Sequence, residues 1–156
     1  MEWRGLHVDV SRHFFGVDVL ETLIDRMAAL KYNRLHLHLT DGPGWRLEIK
    51  SYPRLTSVGA WRKRLPAGKW NWQLHEIGSH FADSHLYFDY PQRHEEAEPY
   101  EHVITVDTVR EFQLPALPHV LGMQGNVWTE HIRTPEQLFY MAFPRAEVLA
   151  EKFKAM

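Results

Sequence analysis

Hydrophobic and polar residues alternate near the start of the chain, in the segment Leu6–Ser11 (LHVDVS), and again in RLHLHLTD at 34–41. A period of two residues is that of a β-strand whose two faces meet different surroundings. Between these segments, apolar residues recur at helical spacing over Val19–Leu30, after a capping-box pair formed by Asp18 and Glu21. The pattern predicts a βαβ unit with parallel strands and a right-handed crossover.

Two apolar runs in the second half of the chain predict further strands, HLYFDY at 85–90 and VLGMQGNVW at 120–128. Thr134 directly before a proline is an N-cap signal, and it predicts a helix from Pro135 to about Ala142. The run AEVLAEKF at 146–153 predicts a final helix. Strands and helices that alternate in this way are typical of an α/β fold with a parallel sheet.

Polar side chains collect where the first two predicted strands end, over Asp9–Arg12 and Thr40–Arg46. Parallel α/β sheets build their binding sites at the carboxyl edge of the strands. We therefore expect the functional residues of this chain to lie at that edge.

Composition limits the classes of partner. The chain has 156 residues, a net charge of −2 and no cysteine, which predicts one soluble globular domain without disulfides or thiolate chemistry. No basic block is present, which argues against nucleic acid and anionic membranes as partners. The first residues, MEWRGLHVDV, lack the basic region and long apolar run of a secretion signal, and the compartment is left open.

Aromatic and acidic residues stand together at the ends of the later apolar runs, in SHLYFDYPQ at 84–92 and GMQGNVWTEHI at 122–132. An unpaired carboxylate is costly inside a core strand. A carbohydrate pocket needs this mixture, because carboxylates bind hydroxyl groups and indole faces pack on the apolar face of a sugar ring.

A metal site is the alternative that the histidines suggest. His36 and His38 share one strand face, with His7, Asp9 and Asp41 expected on neighbouring positions of the sheet. Two histidines are only part of a ligand set, so we predict no metal.

Several long motifs resemble a known family. They are RGLHVDVSRHFF at 4–15, NRLHLHLTD at 33–41, GWRLEIKSYPRLTSVGAWR at 44–62, HLYFDYPQ at 85–92 and HVLGMQGNVWTEHIRTPEQLFYMAFPRAEVLAE at 119–151. The first three resemble the start of the catalytic barrel of family 20 glycoside hydrolases, the β-N-acetylhexosaminidases, and the last two resemble its end. The resemblance implies a partial (β/α)8 TIM barrel that keeps about the first two and last two βα units. The last strand then lies beside the first, in a parallel sheet with helices on its outer face.

The resemblance also implies an activity, together with a reason for its loss. Family members hydrolyse terminal N-acetylglucosamine or N-acetylgalactosamine residues of glycans by substrate-assisted, retaining chemistry, without a metal or cofactor. Their catalytic Asp-Glu pair follows a His-x-Gly-Gly run in the middle of the barrel. No such run occurs in the 156 residues, and a complete barrel takes about 250 residues. The expectation is a catalytically incomplete chain with no catalytic residues of its own.

Two of the substrate contacts implied by the resemblance lie in the first half of the chain. Arg4 resembles the arginine that clasps the hydroxyl groups of the terminal sugar. Asp41 matches one of two adjacent aspartates that support the catalytic acid, with Gly42 in place of the second.

Four further contacts are implied in the second half. Tyr87 resembles the tyrosine that hydrogen-bonds the acetamido carbonyl, and Asp89 resembles a carboxylate that binds hydroxyl groups. Trp128 resembles a wall of the acetamido pocket, and Glu130 the acid that binds the distal hydroxyls. Residual hydrolysis, weak sugar binding and a purely structural remnant remain alternatives at this point.

We predict a single truncated domain made of an N-terminal block at 1–62, a junction at 63–83 and a C-terminal block at 84–156. Residues 92–119, rich in proline and charge, predict a long connection with at most one short strand. A half barrel has two open sheet edges and exposes its former interior, which we expect to be apolar. We expect one of three outcomes: an edge-to-edge homodimer, cover by Trp70, Trp72 and Phe81 of the junction, or poor solubility.

Overall fold

The computed structural model describes residues 2–42, 44–61, 85–88, 103–113 and 121–154, and only the backbone of 85–87. The strands are β1 (Trp3–Asp9), β2 (Arg34–His38), β3 (Thr40–Asp41), β4 (Gly44–Trp45), β5 (His85–Tyr87) and β6 (Gly122–Val127). The helices are α1 (Val17–Ala29), α2 (Arg54–Ser57), α3 (Val106–Glu111), α4 (Pro135–Ala142) and α5 (Arg145–Lys154).

Four strands form one sheet in the order β2-β1-β6-β5, and every neighbouring pair is parallel. The first strand therefore lies between the second strand and the last one. Leu6 of β1 lies beside Leu35 of β2 on one side and Gly125 of β6 on the other. This is the strand order predicted for the two ends of a barrel, and the partial-barrel α/β fold is confirmed.

One face of this sheet forms the core with the helices. This face carries the apolar side chains that occupy every second position of the strands, and they pack against the buried faces of α1, α4 and α5. The buried residues of this cluster include Leu6, Val8, Leu23, Met27, Met123, Val127, Leu138 and Leu149. Each such side chain contributes about 1.5–3 kcal/mol through burial, so this layer holds the two ends of the chain together.

The opposite face of the sheet is polar among the described residues. His7 lies beside His36 on β2 and Asn126 on β6, while Gln124 and Asn126 alternate with the apolar residues of β6. His7, Gln124 and Asn126 are buried. The prediction of a large apolar inner face is therefore wrong for this part of the chain, because the strand alternation places histidine and amide side chains there.

Helix α4 has the predicted bounds, while α1 begins differently. Thr134 is the N-cap of α4, and its side chain accepts a hydrogen bond from the backbone N–H of Gln137. Helix α1 has Gly16 as its N-cap, with no side-chain hydrogen bond. The predicted capping box of Asp18 is wrong, because Asp18 lies inside the first turn, where its charge favours the helix dipole.

Helix α3 lies within the connection for which at most one short strand was predicted. Its N-cap Thr105 and Thr108 form a reciprocal capping box, with Thr108 N donating to Thr105 Oγ1 and Thr105 N donating to Thr108 Oγ1. The two threonines three positions apart were the overlooked signal, since a capping box is more often recognised by glutamate or glutamine.

No described helix is long and apolar enough to cross a membrane. The junction at 63–83, with Trp70, Trp72 and Phe81, lies outside the described residues. In the sheet as described, β2 and β5 are the outer strands.

The contact between β1 and β6 leaves no room for a side chain at Gly122. A Cβ atom placed there would lie 1.7 Å from the backbone oxygen of Trp3. We expect Gly122→Ala to separate the two strands and to lower the free energy of unfolding by about 1–3 kcal/mol, measured by urea denaturation. Gly42→Ala is the matched control, because a Cβ there meets nothing within 4 Å. Equal stability of the two variants would contradict the close pairing.

Candidate functional site

The carboxyl ends of three adjacent strands meet at one edge of the sheet. Strand β1 leads to Arg12, β2 leads to Asp41, and β6 leads to Trp128 and Glu130. Because the strands are parallel neighbours, residues far apart in sequence lie within contact distance there.

Arg12 is the centre of this cluster. Its side chain is only 7% exposed and faces three carboxylates. Nη1 lies 3.3 Å from Asp9 Oδ2, Nη2 lies 2.8 Å from Asp41 Oδ2, and Nε lies 3.7 Å from Glu130 Oε1. The guanidinium carbon also lies 4.9 Å from the centre of the Trp128 ring. Arg12 thus connects residues from all three strand ends.

Sequence reasoning did not select Arg12 as a site residue. The polar run Asp9–Arg12 at the end of the first strand was the available signal, since the carboxyl edge was the expected place of the site. Only the pairing of β6 with β1 reveals that this arginine faces Trp128 and Glu130.

Asp41 forms an ion pair with Arg12 and a hydrogen bond with a histidine. His38 Nε2 donates to Asp41 Oδ2 at 2.9 Å, and Gly42 N donates to Oδ1 at 2.6 Å. Partial burial alone would raise the pKa of Asp41, but the His38 hydrogen bond and the Arg12 charge outweigh burial and lower this pKa below its ordinary value. Asp41 is therefore an anion near neutral pH.

The lowered pKa of Asp41 predicts an acid-sensitive contribution to stability. A carboxylate with a depressed folded-state pKa stabilises the fold above its unfolded-state pKa, and this stabilisation is lost as the pH falls through the folded-state value. We expect the wild type to be more stable than Asp41→Asn at neutral pH, and the difference to shrink below about pH 4. Urea denaturation of both proteins at several pH values measures this. A difference that is constant with pH would contradict it.

Trp128 and Glu130 form the side of the cluster contributed by the end of β6. The Trp128 ring centre lies 4.3 Å from that of His7 and 5.0 Å from that of His38. The Glu130 side chain is only 9% exposed, and its buried Oε2 has no hydrogen-bond partner among the described residues. A buried acceptor without a donor costs about 1–3 kcal/mol, so this oxygen is suited to accept a hydrogen bond from a ligand.

Three histidines line the sheet beside this cluster. The His7 ring lies 4.7 Å from that of His36 and 5.9 Å from that of His38. Burial and the neighbouring His38 lower the pKa of His36, which favours its neutral form. Within the described ranges, no three histidine or acidic side chains are arranged to hold a metal ion.

The structure does not bring Arg4 to this edge. Arg4 lies near the amino-terminal end of β1, and its Nε donates to the carbonyl of Lys31 at 2.6 Å. At about 3.3 Å per residue, it lies ~16 Å from Asp9 along the strand. Its predicted role in clasping the sugar is therefore not supported by its place, whereas Arg12 lies at the carboxyl edge beside Asp41 and Glu130.

Two predicted contacts are only partly described. The backbone of Tyr87 ends β5 and pairs with Asn126, at the same edge of the sheet as the site. Asp89 lies outside the described residues.

Comparison with known proteins places the chain in a family. The family model "Glycosyl hydrolase family 20, catalytic domain" matches residues 1–85 and 80–153. A β-hexosaminidase of Akkermansia muciniphila is 54% identical over 61 residues, which are 39% of this chain and 12% of that protein. The N,N'-diacetylchitobiase of Vibrio harveyi is 56% identical over 59 residues, which are 38% of this chain and 7% of that protein. The chain thus matches only a small part of these relatives.

Solved structures share the fold. The family 20 exo-β-N-acetylglucosaminidase of Vibrio harveyi, in complex with N-acetylglucosamine, superimposes with a TM-score of 0.77 at 16% identity, over 96% of this chain and 54% of that one. The N-acetyl-β-hexosaminidase of Streptomyces plicatus gives a TM-score of 0.75 at 19% identity, over 96% of this chain and 63% of that one. Since the family model covers most of the sequence, the chain belongs to glycosyl hydrolase family 20.

Proposed function

We propose that the carboxyl edge of this sheet binds a terminal N-acetylhexosamine residue of a glycan, and that the chain by itself does not cleave it. The observation that carries the proposal is the buried Oε2 of Glu130, which has no partner among the described residues and lies on the segment that carries Trp128. A sugar hydroxyl is a donor of the right size for that oxygen, and the indole offers an apolar face for the ring.

Each group of the cluster has a role in this proposal. Glu130 accepts hydrogen bonds from sugar hydroxyls, and the Arg12 guanidinium donates to the hydroxyl oxygens. Trp128 packs against the apolar part of the sugar or its acetamido group. Tyr87 and Asp89 complete the site as the family resemblance implies, with the tyrosine on the acetamido carbonyl.

The proposed lack of hydrolysis rests on the sequence and on the charge of the carboxylates. Glycoside cleavage needs a protonated acid at the leaving oxygen, and the Asp-Glu pair that serves the family is absent from the 156 residues. Asp41 is a poor replacement, because its lowered pKa keeps it ionised at neutral pH. Glu130 and Asp89 are expected at the far end of the sugar, away from the scissile bond.

The names of the relatives support the class of sugar. The similar proteins are a β-hexosaminidase and a diacetylchitobiase, and one similar structure contains N-acetylglucosamine. N-Acetylglucosamine and N-acetylgalactosamine are therefore the ligands to test first.

Binding and cleavage assays on the purified chain test the proposal. We expect N-acetylglucosamine to perturb the indole N–H resonance of Trp128 in a saturable way, while a chromogenic N-acetylglucosaminide stays intact. Cleavage that is lost in Glu130→Gln and Tyr87→Phe would overturn the proposed inactivity. Cleavage that persists in both variants would indicate a contaminating enzyme, and neither binding nor cleavage would indicate a structural remnant.

We also propose that residues 1–62 and 84–156 fold as one domain, and that its outer strands β2 and β5 pair in a homodimer. Both strands are edges of the sheet as described, and exposed edges favour pairing with another chain. Gel filtration at several concentrations tests this. Elution as a monomer at every concentration would contradict the dimer.

A further inference from the structure

Asp9 is a fully buried carboxylate at the end of β1, with 0% of its side chain exposed. Its Oδ1 accepts hydrogen bonds from the backbone N–H groups of Ser11 at 2.9 Å and Arg12 at 3.0 Å. Its Oδ2 accepts from Arg12 Nη1 at 3.3 Å and from the backbone N–H of Thr129 at 3.3 Å. The carboxylate therefore contacts both the backbone and the side chain of Arg12.

The same residue also holds the segment that follows β6. Thr129 Oγ1 donates to the backbone carbonyl of Asp9 at 2.9 Å and accepts from the backbone N–H of His13 at 3.0 Å. Thr129 is fully buried and stands between Trp128 and Glu130 in the sequence. Asp9 is thus bound on one side to Arg12 and on the other to the segment that Arg12 faces.

Burial of a charge is costly unless donors compensate for it. Here four N–H groups converge on one carboxylate, and one of them belongs to the guanidinium at the centre of the site. Asparagine has the same shape but is neutral, with one acceptor oxygen and one NH2 group. In the place of a carboxylate oxygen, the NH2 group would face two N–H donors, and it cannot accept a hydrogen bond from either. The negative charge at this position therefore serves the orientation of Arg12.

We propose that Asp9 is a positioning residue, which holds the Arg12 guanidinium against Trp128 and Glu130. It does not touch the sugar, and its effect on the site passes through the Arg12 side chain, while the backbone N–H groups of Ser11, Arg12 and Thr129 hold the carboxylate itself in place. The effect on sugar affinity rests on the proposed function, whereas the effect on Arg12 does not.

Asp9→Asn tests the proposal in the full chain. In the ligand-free protein, the indole N–H resonance of Trp128, assigned with Trp128→Phe among the six tryptophans, is expected to move to the position seen in Arg12→Met. The affinity for N-acetylglucosamine is expected to fall about tenfold, as for the loss of one charge-assisted contact. In the Arg12→Met background, Asp9→Asn is expected to change neither quantity further, because two residues that act as a unit are not additive.

The control is Tyr32→Phe, which removes the buried hydrogen bond from Tyr32 Oη to Ala146 O (2.7 Å). It is expected to lower Tm without moving the Trp128 resonance or the affinity. An Asp9→Asn protein that behaves like this control, or effects of Asp9→Asn and Arg12→Met that add up, would overturn the proposal. If the wild type does not bind the sugar, the proposed function is wrong but the role of Asp9 is still tested. The Trp128 resonance of the ligand-free proteins decides that role.

A measurement on the wild type covers the case in which Asp9→Asn does not fold. A guanidinium held by Asp9 at Nη1 and by Asp41 at Nη2 rotates slowly about the Cζ–Nε bond, so the two nitrogens are expected to give separate resonances. A single averaged resonance for Arg12 would overturn the proposal.

Discussion

Replacing Arg145 by methionine is expected to remove about 3–5 kcal/mol from the free energy of unfolding. Arg145 is the first residue of α5 and is fully buried. Its Nη1 donates to Ile104 O at 3.0 Å, its Nε to Met141 O at 3.0 Å, and its Nη2 to Phe88 O. Methionine fills a similar space but leaves these carbonyls without their donor, at a cost of about 1–3 kcal/mol for each buried group.

The loss is large because Arg145 joins three separate parts of the chain: the end of β5, the segment before α3, and the last two helices. A domain of this size is stable by only about 5–15 kcal/mol. Urea denaturation of Arg145→Met, compared with Arg110→Met, measures the effect. Within the described parts of the chain, the Arg110 side chain forms an exposed ion pair with Asp107 on α3, and such pairs contribute about 0–1 kcal/mol. Similar midpoints for the two variants would show that Arg145 is not the connection we describe.

Glu130→Gln is expected to weaken the binding of N-acetylglucosamine by about 10–100-fold, as for the loss of hydrogen bonds to a charged acceptor. The carboxylate is nine-tenths buried, and its Oε2, which accepts no hydrogen bond from the residues that the structure describes, is the acceptor that we assign to the sugar hydroxyls. We expect Tm to stay unchanged or to rise, because the substitution removes a buried charge that lies at the long distance of 3.7 Å from Arg12 Nε.

Weaker sugar binding without a loss of Tm distinguishes a binding residue from a structural one. Glu151→Gln, the same substitution at an exposed position of α5, is the control and is expected to change neither quantity. A Glu130→Gln protein with full affinity would remove the basis of the proposed site. One with a strongly lowered Tm would assign Glu130 to the fold.

Much of the fold was predictable from local patterns. The alternation in LHVDVS and RLHLHL gave two strands close to their observed bounds, and Thr134 with Pro135 gave the bounds of α4. These signals act over a few residues and depend only on which face is buried and how a helix end is satisfied. The start of α1 was misjudged, because Gly16 takes the extended N-cap conformation and Asp18 already lies in the first turn.

The position of the proposed site could be predicted from the sequence, but not all of its residues could. The polar run at the end of β1 indicated the carboxyl edge, and Trp128 and Glu130 lie there as the resemblance implied. Arg4 and Arg12 stand on the same segment, and only the direction of β1 decides which of them reaches that edge. In the structure, Arg12 reaches that edge and Arg4 does not. Each residue of a strand advances the chain by about 3.3 Å, so Arg4, near the amino-terminal end of β1, is left far from the edge.

The amino-acid sequence by itself determined the periodicity of most strands and helices and the family. The tertiary structure alone decided that Asp9 and Arg12 meet Thr129 and Glu130, which lie more than a hundred positions later in the chain. The physical reason is that hydrogen bonds and ion pairs depend on distances of a few ångströms. Those distances exist only after β6 has paired with β1.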